Sequence, residues 1–218
     1  MQTQATHGPD VRQSAGEIAI LEAAAELFSE YGFDGVSMRR IAEAANVSKA
    51  NIYHHFDSKE ALYLAIMQAS ALKLSVLVEN LAEGKGTFGQ RLRVFALAHL
   101  EHLFNNASTL RLVLREAFSS DEEKGRVLVE RVVGDIFKRM VSIFKAGQES
   151  GDLRSDLDPG LCAMLLMGGD LFYFQSHGLL KQLPEAAFAQ NYQSYSREMM
   201  DVILNGMLVP EQGMETES

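Results

Sequence analysis

Cysteine and proline are scarce in this 218-residue sequence, and tryptophan is absent. The single cysteine, Cys162, excludes a disulfide framework within the chain and any metal or iron–sulfur site built from several cysteines. The four prolines, at positions 9, 159, 184 and 210, each stand at a predicted element boundary. The period-two alternation of β-branched residues that is typical of strands is also missing. These absences favour an all-α fold.

Long hydrophobic runs are missing as well. The longest strongly apolar stretch, from Leu161 to Phe174, is interrupted by Asp170 and is too short to span a bilayer. The first ten residues lack the charged-then-apolar order of a secretory signal. Apolar residues make up 47% and charged residues 22%, as in ordinary soluble proteins, which argues against wholesale disorder. The sequence therefore predicts a soluble cytoplasmic protein that does not associate with a membrane.

The net charge of −9 argues against non-specific coating of nucleic acid. The charge is unevenly distributed, however. From Gly35 to Lys59 the chain has four basic and two acidic residues, a net charge of +2, together with two histidines. A local basic surface near the amino terminus is therefore compatible with the acidic composition of the whole chain.

Capping signals predict about nine helices and no sheet. Ser14, Ser37, Ser48 and Ser58 are predicted to cap the first four helices, and Asn46 stands where a left-handed residue often ends a helix. Later helices are expected from Thr87, Ser108, Ser120, Asp158 and Pro184. We predict four segments: a disordered tail (1–13), a helix-turn-helix domain (14–58), a larger ligand-binding and dimerisation domain (59–208) and an acidic tail (209–218).

Two short predicted helices joined by a tight turn have the dimensions of a helix-turn-helix. On the second of them, Lys49 can donate to guanine, Asn51 can pair with adenine, and Ala50 can contact a thymine methyl group. Ser48, Tyr53 and Lys59 carry donors suited to phosphate oxygens, which fix the position of a protein on DNA. This combination on one short helix predicts a DNA-reading surface.

The stretch ILEAAAELFSEYGFDGVSMRRIAEAANVSKANIYHHFDSKEALYLA, residues 20–65, resembles the DNA-binding domain of TetR-family transcriptional regulators. The most specific part of the resemblance is residues 47–56 followed by residues 58–62. Asn46 stands where glycine is common in the family, and His54 stands where a second aromatic residue is usual. By matched position, with Arg40 added for its charge, the resemblance implies DNA contacts at Ser37, Arg39, Arg40, Ser48, Lys49, Ala50, Asn51, Tyr53, His54, His55 and Lys59.

The resemblance also implies nine helices, a homodimer built on the last two, and a small-molecule pocket in the larger domain. Leucine, phenylalanine and methionine side chains there are suited to a largely apolar effector, and His99, Arg111 and Arg115 are candidates to hold an acidic group on it. The full set of candidate ligand-binding residues is Phe95, His99, Leu103, Arg111, Leu114, Arg115, Phe118, Met140, Phe144, Met167 and Tyr173.

A dimer would present two reading helices to a palindromic operator on double-stranded DNA. Gly168 and Gly169, with the large apolar residues beside them, are predicted to lie in the dimer contact. We expect effector binding to change the spacing of the two DNA-binding heads through the fourth helix, which would release a repressor from DNA.

Two alternatives remain open. His99 and His102, three residues apart on one helix, are spaced as in some metal sites, which would suit a metal-binding helical bundle. The chain could instead be a helical protein-interaction module whose helix-turn-helix no longer binds DNA. No nucleophile–base pair, phosphate-binding loop or dinucleotide signature is present in the sequence, so we predict neither an enzyme nor a cofactor.

Overall fold

The computed structural model describes residues 14–117 and 134–207, and the account below is confined to them. Several predicted features therefore lie outside the described residues: both tails, Phe118 and the helix start at Ser120. The described ranges contain nine α-helices, one short 3₁₀-helix and no β-strand, which confirms the predicted all-α class. The α-helices are α1 (Ala15–Tyr31), α2 (Met38–Ala44), α3 (Lys49–His55), α4 (Lys59–Glu83), α5 (Phe88–Asn105), α6 (Ala107–Ala117), α7 (Gly134–Glu149), α8 (Pro159–Leu180) and α9 (Tyr192–Met207).

Most of the predicted helix starts are confirmed by hydrogen bonds at the caps. The Ser14, Ser37 and Ser48 hydroxyls each accept a backbone N–H from the third residue of the helix that follows. At the start of α5, Thr87 and Gln90 form a reciprocal capping box. Each of these bonds satisfies an N–H group that has no partner within its helix.

The predicted start of the last helix at Pro184 is wrong. After α8 the chain continues through turns and the 3₁₀-helix Ala187–Gln190, and α9 begins only at Tyr192. The Asn191 side chain accepts the Ser194 N–H at 2.7 Å and so acts as the cap. Tertiary contact keeps the intervening segment from forming an α-helix, because Ala189 is buried and its carbonyl accepts the Tyr173 hydroxyl at 3.2 Å.

The described chain divides into two compact units, the first ending at Met67 and the second beginning at Gln68. The division falls inside α4, nine residues beyond the predicted domain boundary after residue 58. The first turns of α4 belong to the first unit because Leu62, Ile66 and Met67 are buried there.

In the first unit, the aromatic side chains of Phe28, Phe33 and Tyr63 pack together with ring centroids 5.2–5.6 Å apart. Each of the first three helices contributes a fully buried side chain: Phe28 on α1, Ile41 on α2 and Ile52 on α3. This shared apolar core fixes the position of α3, which is too short to be stable alone.

The core of the second unit is formed by the rest of α4 with α5, α7, α8 and α9. Its central side chains include Leu92, Phe144, Leu166 and Leu204, all almost fully buried. Arg91 caps the carboxyl-terminal end of α4. Its guanidinium group donates to the Leu81 carbonyl at 3.0 Å and to the Ala82 carbonyl at 2.8 Å. A second, smaller cluster contains Leu100, Tyr173, Ala186 and Ala189.

Helix α4 has a mean hydropathy of 1.7 over 18 residues and is therefore long and apolar enough to cross a membrane. It lies outside the apolar run at Leu161–Phe174 that the sequence singles out. Leu62, Ile66, Val78 and Leu81 are buried inside the protein, on the first and last turns of α4. Only 22% of that window is buried inside the protein, and a single helix of this length and composition is weak evidence for a membrane span.

Candidate nucleic-acid interface

Helices α2 and α3 are joined by a turn whose conformation depends on Asn46. This residue has a φ of 53°, a left-handed backbone conformation that asparagine tolerates better than most residues. The Val47 N–H then donates to the Ala42 carbonyl at 3.0 Å, which closes the end of α2. Asparagine in place of the usual glycine is therefore compatible with the turn of a helix-turn-helix.

Helix α3 has one fully buried residue, Ile52, and a broad exposed face. Because Ile52 anchors the helix to the core, the positions around it are left for recognition. The exposed positions on α3 and at its cap are Ser48, Lys49, Ala50, Asn51, Tyr53 and His54.

Two of these side chains are close neighbours on the exposed face. The Lys49 ammonium lies 5.6 Å from the centre of the Tyr53 ring, an interaction between a cation and an aromatic face. The pair presents a positive charge and a phenolic hydroxyl side by side. This arrangement can bind phosphate oxygen and the acceptor edge of a guanine.

Helix α2 contributes a second group of exposed polar side chains. Ser37 lies at its amino end, where its hydroxyl already accepts the Arg40 N–H at 3.2 Å. Arg39 is exposed and forms an ion pair with Glu43 at 2.9 Å. Arg40 lies 3.7 Å from the centre of the Tyr31 ring. Both guanidinium groups are thus held in place, but neither is buried.

Lys59 and His55 are half-buried, as is Arg40, whereas the other candidates are exposed. The Lys59 ammonium donates to the Phe33 carbonyl at 2.8 Å and to the Val36 carbonyl at 3.1 Å, and it lies over the Phe33 ring. His55 is half-buried beside Phe56. The structure therefore shows Lys59 holding the loop between α1 and α2, and its predicted contact with DNA stays a prediction.

The candidate ligand-binding residues fall into three groups. Phe95, Met140, Phe144 and Met167 come together in the main core of the second unit. Leu103, Leu114 and Tyr173 are also buried, with Tyr173 in the smaller cluster. Arg111 and Arg115, in contrast, are exposed on α6.

His99 is buried and pairs with an acid that sequence reasoning missed as a site residue. Its Nδ1 lies 2.8 Å from Oδ2 of Asp170, and its ring stacks on Phe95 with centroids 5.6 Å apart. Asp170 is fully buried, and burial raises the pKa of its carboxyl group. The signal for this residue was present in the sequence, as the one acid that interrupts the apolar run from Leu161 to Phe174.

His102 has a different environment from His99. The Asn106 amide nitrogen lies 3.2 Å from His102 Nδ1, and the Asn106 oxygen accepts a hydrogen bond from Lys73 at 3.1 Å. Burial is the main cause that lowers the pKa of His102 to about 4, with smaller electrostatic contributions from His99 and Lys73. Within residues 14–117 and 134–207, no three histidine, cysteine or acidic side chains are grouped as metal ligands.

The first unit is similar in sequence to known regulatory proteins. The family description "Bacterial regulatory proteins, tetR family" matches residues 20–66. Over 55 residues the chain is 51% identical to the HTH-type transcriptional regulator RutR of Escherichia coli K12, a match that covers 25% of this chain and 26% of RutR. The chain thus spans about a quarter to a third of the length of the curated relatives it matches over this region.

The likeness of the whole chain is one of fold. The TetR-family regulator PfmR of Thermus thermophilus superposes with a TM-score of 0.66 at 25% identity, covering 86% of this chain and 94% of PfmR. The ketosteroid transcriptional regulator KstR2 of Mycobacterium tuberculosis gives a TM-score of 0.65 at 20% identity, covering 91% of this chain and 97% of KstR2. Residues 20–66 are thus similar to the bacterial regulatory proteins of the tetR family, and the chain shares its fold with these regulators.

Proposed function

We propose that this protein is a cytoplasmic, homodimeric transcriptional regulator that binds a palindromic operator and is released from it by a small, largely apolar effector. The observation that carries the proposal is the exposed face of α3. Lys49, Asn51 and Tyr53 are open to solvent there, while Ile52 fixes the helix from the opposite side. These side chains supply both base-reading and phosphate-binding groups on one rigid element.

Dimer formation is supported by an exposed apolar face on α8. Its members follow helical spacing and share one side of the helix: Leu161, Leu165, Gly168, Phe172 and Leu179. Phe172 is 69% exposed, and a Cβ added at Gly168 would meet nothing within 4 Å. A face of this kind on a soluble protein is suited to an isologous contact with a second copy.

The effector is proposed to bind in the second unit. The phenylalanine and methionine side chains of its main core are adaptable packing partners for an apolar molecule. Helix α4 contributes residues to both compact units, so it is the element through which we expect the effector to change DNA affinity. No catalytic step is part of this proposal.

The test is binding of the full-length protein to DNA from upstream of its own gene, with excess scrambled duplex as competitor. We expect tight binding that resists the competitor and weakens as salt is raised, because phosphate contacts release counterions. Lys49→Ala is expected to weaken binding by about tenfold or more, since each dimer presents this lysine twice.

The matched control is Lys145→Ala, which removes an exposed lysine on α7 of the second unit. Its affinity for the same fragment should stay within about twofold of the parent protein. Equal losses in the two lysine variants would mean that only overall charge matters. Binding that the scrambled duplex abolishes would contradict a regulator of this neighbouring gene.

A further inference from the structure

We propose that Asp170 is the polar anchor of the effector site, and that the effector presents a hydrogen-bond donor, an O–H or N–H group, to its Oδ1 atom. The inference rests on the proposed function in one respect, namely that an effector binds in the second unit. It adds the chemical class of that effector: a mostly apolar molecule that carries a donor rather than an acid.

Asp170 is identified as the anchor because one of its two carboxylate oxygens lacks a hydrogen-bond partner among the described residues. Asp170 is 0% exposed, and its Oδ2 is paired with His99 Nδ1 at 2.8 Å. Its Oδ1 is buried and has no hydrogen-bond partner among the described residues. A buried acceptor without a partner is costly, and such atoms are rare in folded proteins. A donor supplied by a bound molecule would remove that cost.

The surroundings of Asp170 are aromatic. Phe95 stacks on His99 on one side, and Tyr173 stacks on Tyr195 with centroids 4.0 Å apart. The Tyr173 hydroxyl is already used, because it donates to the Ala189 carbonyl. Rings with one unsatisfied acceptor among them are suited to an apolar ligand whose orientation is fixed by a single polar group.

Gly169, next to Asp170, lets the Tyr195 hydroxyl approach the backbone of α8 closely. A Cβ atom at position 169 would lie 3.2 Å from that hydroxyl oxygen, tighter than most real Cβ contacts. The negative charge of Asp170 also acts on Tyr195, where it adds to the effect of burial in raising the pKa of the phenol. The glycine, the phenol and the carboxylate are therefore parts of one small polar region on α8 and α9.

This charge arrangement reverses the expectation that the effector is an acid. A carboxylate bound here would face Asp170, and like charges at short range in a buried site repel strongly. The two arginines expected to hold an acid, Arg111 and Arg115, are exposed. His99 is the only one of the three candidate acid-binding residues beside the site, and its Nδ1 already faces Asp170.

The test uses three naphthalene probes of nearly equal size on the full-length protein: 2-naphthol, 2-methoxynaphthalene and 2-naphthoate. Dissociation constants are measured by fluorescence titration in the absence of DNA. We expect 2-naphthol to bind at least about tenfold more tightly than 2-methoxynaphthalene, which lacks a donor, and 2-naphthoate to bind most weakly. Saturable binding of all three with equal affinity would overturn the inference, as would no saturable binding of 2-naphthol.

Two variants test whether Asp170 causes the preference for 2-naphthol over 2-methoxynaphthalene. Asp170→Asn retains an acceptor oxygen and should keep the preference for 2-naphthol, whereas Asp170→Leu should abolish it. If Asp170→Leu does not fold, the double variant H99L/D170L replaces both members of the pair and serves in its place. A preference that survives in a folded leucine variant would overturn the assignment to Asp170.

These titrations are separate from the DNA experiment. A protein that prefers 2-naphthol through Asp170 but binds no operator would uphold this inference while the proposed function fails. A protein that binds its operator and shows no preference among the probes would give the opposite result.

Discussion

At the scale of single residues, the His99–Asp170 pair places two polar side chains in contact inside the second unit. Both side chains are almost completely removed from solvent, and His99 Nδ1 lies 2.8 Å from Asp170 Oδ2. Removing one partner leaves a buried polar group uncompensated, whereas replacing both with apolar residues can be nearly neutral. The pair therefore lends itself to a double-mutant cycle.

We predict that His99→Leu lowers the free energy of unfolding by about 2–4 kcal/mol, because the buried Asp170 then loses its hydrogen-bond partner among the described residues. The double variant H99L/D170L should recover most of that loss. Chemical denaturation of the four proteins in the cycle measures both effects. His54→Leu, on the exposed face of α3, is the control and should change stability by less than about 0.5 kcal/mol.

The lowered pKa of His102 predicts how the free energy of unfolding depends on pH. Its pKa is lowered to about 4 in the folded protein from 6.5, first by burial and then by His99 and Lys73. A proton is therefore bound more readily by the unfolded chain, so this contribution to stability is complete above pH 6.5 and is lost as the pH falls towards 4. Because the side chain is only partly buried, we expect the loss to be on the order of 1–2 kcal/mol.

The measurement is the melting temperature between pH 7 and pH 4 for the parent protein and for His102→Gln. Glutamine cannot take up a proton in this range, so its curve should be flatter by the contribution of His102. Parallel curves would show that the lowered pKa of His102 does not contribute to stability.

At the scale of elements, the position of α3 depends on contacts made away from its exposed face. Ile52 fixes the helix from below, Asn46 sets the turn before it, and Lys59 ties the start of α4 to the loop after α1. None of these residues needs to touch DNA for the reading face to be held in place. Recognition by α3 is therefore a property of the whole first unit.

We predict that Lys59→Met lowers the free energy of unfolding by about 1–3 kcal/mol, because the Phe33 and Val36 carbonyls lose a charged donor. Methionine keeps the length and apolar stem of the side chain, so the loss reports the hydrogen bonds. Denaturation of the full-length protein measures it. Unchanged stability together with weaker DNA binding would instead assign Lys59 to a phosphate contact.

At the scale of the whole molecule, the proposed binding of a palindromic operator requires two copies of the chain. The exposed side chains of Leu161, Phe172 and Leu179 on α8 give the second unit an apolar face that a partner would cover. Two reading helices held by one dimer bind a palindromic operator together, so the second contact is made at high effective concentration. Loss of the dimer should therefore weaken DNA binding without any change in the reading helix.

We predict that Phe172→Glu shifts the protein from dimer to monomer, since a charged group cannot be buried at the centre of an apolar contact. Analytical ultracentrifugation measures the oligomeric state, and the same sample should bind the operator at least about tenfold more weakly. Glu101→Ala, an exposed position on α5, is a control for surface substitution. A dimer that persists in Phe172→Glu would contradict the assignment of this face.

Sequence alone determined the features that depend on local chemistry. Caps at Ser14, Ser37, Ser48 and Thr87 were readable because a short polar side chain must satisfy the first N–H groups of a helix. The left-handed turn at Asn46 and the exposed face of α3 followed from the same kind of local reasoning together with the resemblance at residues 20–65. The all-α class followed from the helical spacing of apolar residues.

Only the tertiary structure decided the features that depend on residues distant in sequence. Pro184 did not start a helix, because the segment after it packs against α8 through Ala189. Lys59 is directed to the carbonyls of a loop 23–26 residues earlier in the chain. Asp170 meets His99 across 71 residues. Periodicity marks a residue as buried, but it does not name the partner, because partners are set by how helices pack rather than by their own sequence.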